Sequence, residues 1–167
     1  MNLNFFLRVK KHFIPIFFVM MYFMSPAVCF SQDSPPAERF VQVDELSGEV
    51  QLKVNAGESW KIAEKGMRIQ QGGEIRTGKD SKAVILVDEN AAAGKVDIYA
   101  NTWVRVGVLG HSERAGAKRT LFDLALGQVF VKAQGVSGDG TFQIRTPTST
   151  SSVRGESASF EVKVEEE

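Results

Sequence analysis

Residues Thr141–Val164 read TFQIRTPTSTSSVRGESASFEVKV, and this stretch decides the fold class. Phe142 and Ile144 alternate with polar residues, the period-two mark of a strand with one buried face. Thr146-Pro147 breaks that run, because proline has no N–H to give to a sheet ladder. Val153-Arg154-Gly155 follows, and the alternation resumes at Ala158, Phe160, Val162 and Val164. The unit is strand, turn, strand, with no catalytic residue pattern in it.

The same reading extends upstream. Val50, Leu52 and Val54 alternate with Glu49, Gln51 and Lys53, and the spacing recurs at Trp60/Ile62 and Met67/Ile69. Ala83–Val87 is apolar at every position, which suits a central strand covered on both faces. Val96 and Ile98 start another strand. Val104, Val106 and Val108 share one face with Arg105 on the other, Phe122, Leu124 and Leu126 form a stripe opposite Asp123, and Val129 and Val131 follow Gly127. Glycines lie at the ends of these runs, where turns need residues free to take positive φ, and Asp139-Gly140 is a hairpin signal before Thr141. The pattern predicts one all-β domain over residues 40–167. Its expected form is a two-layer β-sandwich or an irregular β-solenoid-like sheet of about ten short, mostly antiparallel strands.

The N-terminus predicts export. Arg8, Lys10 and Lys11 precede an apolar run from Phe13 to Met24, and Ser25-Pro26-Ala27 opens a small-residue exit. This is the layout of a cleaved signal peptide over residues 1–31. The run falls short of the roughly 20 apolar residues that span a bilayer. Membrane anchoring is expected only if the leader is retained or Cys29 is lipidated. Residues 32–39, QDSPPAER, read as a linker stiffened by two prolines. Without residues 1–31, Lys plus Arg falls from 20 to 17 while Asp plus Glu stays at 20, a net charge of about −3. No basic stripe for nucleic acid is present.

Composition also limits the chemistry. His111 is the one histidine outside the leader, and Cys29 is the one cysteine, so zinc sites built from several His or Cys are excluded by count. No Gly-x-Ser-x-Gly elbow accompanies His111. Gly72-Gly73 and the Gly135–Gly140 loop lack the spacing of a phosphate-binding loop and read as turns. Asp88, Glu89, Asn90 and Asp97 make an acidic loop of oxygen ligands that matches no EF-hand spacing, which leaves calcium binding open. Trp60, Tyr99 and Trp103 read first as packing residues and second as stacking faces for a glycan. Arg114, Lys118 and Arg119 read as a solvated basic loop, with contact to anionic lipid as the second reading. No catalytic, cofactor-binding or metal-binding residue is expected, and the protein is read as a non-enzyme.

Taken in order, these residues resemble the FecR domain family. Gly48-Glu49-Val50 looks like the family's opening strand. Gly66, Gly72, Ile75-Arg76-Thr77, Ser81 and Ala83 resemble its G…G-D-x-I-x-T…S-x-A stretch. Leu121–Val131 looks like its L-x-L-x-x-G-x-V-x-V hairpin. Phe142, Ile144, Thr146-Pro147, Val153-Arg154-Gly155, Phe160 and Val162 resemble its closing TP…VRGT…F-x-V. Two positions depart: Gly73 stands where the family usually has Asp, and Glu156 where Thr usually follows Val-Arg-Gly.

The resemblance implies a periplasmic, non-enzymatic interaction module of the bacterial cell envelope, acting in envelope signalling or assembly through a protein partner. It carries no catalytic residues to transfer. The alternative is a domain that binds glycan or another cell-wall ligand. The family's best-known members place an anti-sigma segment in the cytoplasm, before the membrane span. With only a dozen residues ahead of the apolar run, that activity is not expected here.

Overall fold

The computed structural model describes residues 38–111, 117–136, 138–155 and 157–165, all of them within the compact unit Pro36–Glu167. The expected signal peptide, Cys29 and most of the expected linker lie outside the described residues, as do Arg114 and Glu156.

The described residues are all-β. Its twelve strands are β1 (Val41–Ser47), β2 (Val50–Lys53), β3 (Lys61–Ile62), β4 (Arg68–Ile69), β5 (Glu74–Thr77), β6 (Lys82–Val87), β7 (Gly94–Ile98), β8 (Trp103–His111), β9 (Lys118–Ala133), β10 (Thr141–Arg145), β11 (Thr150–Arg154) and β12 (Ala158–Val164). A short 3-10 turn, Glu89–Ala91, joins β6 to β7.

The strands form two layers that share β9. One sheet runs β4-β1-β6-β7-β9-β12, and the other β3-β2-β5-β8-β9-β10-β11. The first half of β9 lies between β8 and β10, and its second half between β7 and β12. A straight strand of 16 residues would be roughly 50 Å long. Residues 134–140, which lead from its end to β10, reach at most roughly 25 Å. Yet β10 pairs beside the start of β9, with Thr141 opposite Arg119. The long strand must therefore bend, and Gly127, at φ +94°, stands where its partners change.

The inner faces meet in one core. Val41, Ile85, Val96 and Val131 come from the first sheet, and Leu52, Ile75, Val104, Phe122 and Phe142 from the second, all at 1% exposure or less. Phe122 and Phe142 pack with ring centroids 5.7 Å apart. In β6 the residues Ala83, Ile85 and Val87 face this core, and Val84, which alternates with them, is also buried, as its continuous apolar run predicted.

Four details correct the sequence reading. Asp139-Gly140 does not close a hairpin, because β10 runs parallel to β9; a local turn signal does not specify which strand the chain joins next. Val153 and Arg154 belong to an additional strand, β11, which forms an antiparallel hairpin with β10. Ile62 is 76% exposed, because β3 is only two residues long and lies at the sheet edge. Leu126 leaves the core stripe: Trp103 pairs with Leu126 and Val104 with Leu124, so an extra residue, Ala125, bulges between them.

Gly73 explains one departure from the family pattern. A Cβ there would lie 2.4 Å from Ile69 Cγ2 and 2.6 Å from the carbonyl oxygens of Lys53 and Val54. No side chain fits without displacing backbone.

Candidate binding surfaces

The outer face of the second sheet carries two side-chain rows that cross the strands. Lys53, Glu74, Arg105, Asp123 and Arg145 are successive cross-strand neighbours, so charge alternates along the row. Lys53 Nζ lies 3.4 Å from Glu74, and Arg145 donates to Asp123 at 2.6 Å. Beside it run Ile62, Gln51, Arg76, Trp103 and Leu126, also paired in register.

The three aromatic candidates separate here. Lys53 Nζ lies 4.7 Å and the Arg76 guanidinium 4.3 Å from the Trp60 ring centroid, so that indole is engaged in cation–π contacts. Tyr99 has Lys82 Nζ at 5.5 Å from its ring. Trp103 remains 47% exposed, and its Nε1 donates to Glu74 Oε2 at 2.8 Å.

A groove of about 690 Å³ opens beside Trp103. It lies where β10 has left β9, after Asp123, and β12 has yet to join it at Gly127. Its floor includes Ala125 and Leu126, which the bulge turns outward. One wall is the Thr146–Ser149 turn, which a Thr146 hydroxyl accepting from the Ser149 N–H at 2.9 Å holds together. The other is the end of β12, where Lys163 and Glu165 form an ion pair. Lys163 holds the Glu165 carboxyl below the ordinary carboxylate range, and Glu165 in turn raises the pKa of Lys163.

A second surface is the outer edge of β12. Among the described residues this strand pairs with β9 alone. Tyr99 N donates to Gln128 O, and Gln134 N to Ala93 O, so the even-numbered β9 residues direct their backbone toward β7. The odd-numbered ones then serve β12 and engage Ala158, Phe160, Val162 and Val164. This leaves the N–H and C=O groups of Ser159, Glu161 and Lys163 pointing to the free edge. Phe160 and Val164 beside it are only partly buried against the core.

The acidic loop is put to other use. Asp88 accepts from Arg39 Nε at 2.9 Å and pairs with Lys118 Nζ at 2.9 Å, while Asp97 faces Lys82. Among the described residues no three His, Cys, Asp or Glu side chains converge as a metal site would require. Arg39, which the sequence reading assigned to the linker, is 7% exposed and also donates to the carbonyls of Gly110 and Arg119 and to the Thr120 hydroxyl. Of the basic loop, Lys118 is engaged with Asp88. His111 ends β8 opposite Lys118 and is exposed. Sequence reasoning missed Arg39 because its partners are distant in the chain, and missed the groove because it depends on a bulge.

Two buried hydroxyls account for motif positions. Ser81 Oγ accepts from Glu49 N at 2.9 Å, and Thr77 Oγ1 accepts from Thr102 N at 3.0 Å. A protein-family model described as "FecR protein" matches residues 73–167. The opening strand around Gly48–Val50 lies outside the matched range, although β2 pairs along its length with β5 inside it. No curated protein and no solved structure matches the chain.

Proposed function

The chain belongs to the FecR family, and from that membership we propose that it is a non-enzymatic, periplasmic interaction module that docks a protein partner along the free edge of β12. FecR proteins act in signalling at the cell envelope. Among the described residues no helix is long and apolar enough to cross a membrane.

The observation that carries this reading is the outward backbone of Ser159, Glu161 and Lys163 on a seven-residue strand. Unpaired N–H and C=O groups on a strand edge are a template for another strand, and alternate side chains set which strand is accepted. Glu161 and Lys163 are charged, which suppresses indiscriminate pairing between copies. Half-buried Phe160 and Val164 offer apolar surface next to the edge for the partner to cover.

Cross-linking and pull-down from envelope extracts tests it, comparing the unaltered chain with Glu161→Pro. Proline removes one outward N–H and the side-chain bond that Glu161 accepts from Gln128, and spares the backbone bonds to β9. A partner recovered by the former and lost with the latter supports strand addition. Equal recovery by both, or no partner under cross-linking, contradicts it.

A further inference from the structure

The geometry points to a second binding site, for a neutral oligosaccharide, in the groove beside Trp103. This inference does not depend on strand addition at β12.

Trp103 is one of two large apolar side chains left exposed among the described residues. Burying an indole is strongly favourable, so an exposed one offers free energy to a ligand that covers it. The ring is also held in place. Its Nε1 is tied to Glu74 Oε2, and the same carboxylate is steadied by Lys53. A ligand stacking on Trp103 therefore has little side-chain freedom to freeze. Trp60, by contrast, already has two cations against its ring.

The groove matches the chemistry of a sugar ring. A pyranose presents a face of C–H groups, slightly positive, which suits the electron-rich face of an indole. Its rim is a ring of hydroxyls that need donors and acceptors. Facing Trp103 across the groove are Pro147, which is apolar, and Thr148 and Ser149, which carry hydroxyls. Lys163 supplies donors and Glu165 acceptors at the far end. The volume of about 690 Å³ falls within the range of clefts that hold small ligands.

Charge selects a neutral ligand over an anionic one. Lys163 is paired with Glu165, Arg145 with Asp123 and Lys53 with Glu74. Lys163 and Glu165 are the charged residues lining the groove, so a phosphate or uronate seated there would have to break their pair, whereas a hydroxyl can hydrogen-bond to both members at once.

The experiment follows the Trp103 indole N–H signal by NMR in the full chain. Chitotetraose, cellotetraose and maltotetraose are the probes, and inorganic phosphate is the anionic comparison. The expected result is a saturable shift with at least one oligosaccharide, and none with phosphate. Chitotetraose and cellotetraose carry the β-1,4 linkage of structural glycans and maltotetraose the α-1,4 linkage of storage glycans, so the three together separate wall-type from storage-type ligands. Trp103→Ala should weaken binding about tenfold or more, measured calorimetrically. Trp103→Phe, which keeps an aromatic face, should retain most of the affinity. No shift with any oligosaccharide at about 10 mM, or binding that survives Trp103→Ala, overturns the proposal.

Discussion

Gly127 lies against Thr102 so closely that a Cβ would sit 2.2 Å from Thr102 Oγ1 and 2.5 Å from Thr102 Cα. The contact is the corner of the fold. Thr102 Oγ1 accepts from Gln128 N at 3.0 Å, and Thr102 N donates to Thr77 Oγ1, so the bend of β9 is pinned to β5.

Gly127→Ala should therefore be severe. A side chain at positive φ costs about 1–2 kcal/mol, and overpacking adds about 1–3 kcal/mol. The expected loss is about 3 kcal/mol, or a fall in Tm of roughly 10 °C. Gly155→Ala is the control: φ is +92° there too, but nothing lies within 4 Å of the new Cβ. Its cost should be confined to the backbone, about 1–2 kcal/mol. Equal melting temperatures for the two variants would contradict the corner assignment.

Arg39→Met should destabilise nearly as much, despite its place at the end of the expected linker. The substitution strips donors from Gly110 O, Arg119 O and Thr120 Oγ1 as well as from Asp88. Breaking a buried ion pair costs about 3–5 kcal/mol. Lys118 still faces Asp88, which places the effect near 3 kcal/mol. Urea denaturation of Arg39→Met, Asp88→Asn and the double variant would measure the coupling. Fully additive losses would show that the two residues do not act together.

Acid should act on the groove through Glu165. Its folded pKa is depressed by Lys163, so the pair's contribution is present above the ordinary glutamate pKa and is lost as pH falls through the depressed value. On the alkaline side the Lys163 pKa is raised, so its contribution is complete below the ordinary lysine pKa and is lost only as pH rises through the folded value. Between those limits the pair stays intact. NMR titration of the Glu165 carboxyl should give a midpoint below the ordinary range, and Lys163→Met should raise it. A midpoint unmoved by that substitution would contradict the pairing.

The sequence revealed strands wherever apolar residues alternate over a long enough run. Phe142, Ile144 and Val162 all proved buried, because period two survives when a strand is straight and one face is covered. It failed where pairing rather than pattern makes the strand. Thr150–Arg154 has one apolar residue, and β11 exists because β10 offers it a ladder. Leu126 keeps the period in sequence yet leaves the core, because the bulge at Ala125 shifts its phase. Trp103 was legible as a stacking candidate from its phase opposite Val104. Its separation from Trp60 was not, since Lys53 and Arg76 reach Trp60 only once β2 and β5 pair. Arg39 was illegible for the same reason: its partners Asp88 and Thr120 stand 49 and 81 residues away.

The central claim is that β12 receives a partner strand along its outer edge. Backbone amide hydrogen exchange, residue by residue, with and without the partner recovered by cross-linking, tests it most directly. The amides of Ser159, Glu161 and Lys163 should slow markedly in the complex, while those of Phe160 and Val162, already bonded to β9, change little. Unchanged exchange at Ser159, Glu161 and Lys163 in a saturated complex would contradict the account.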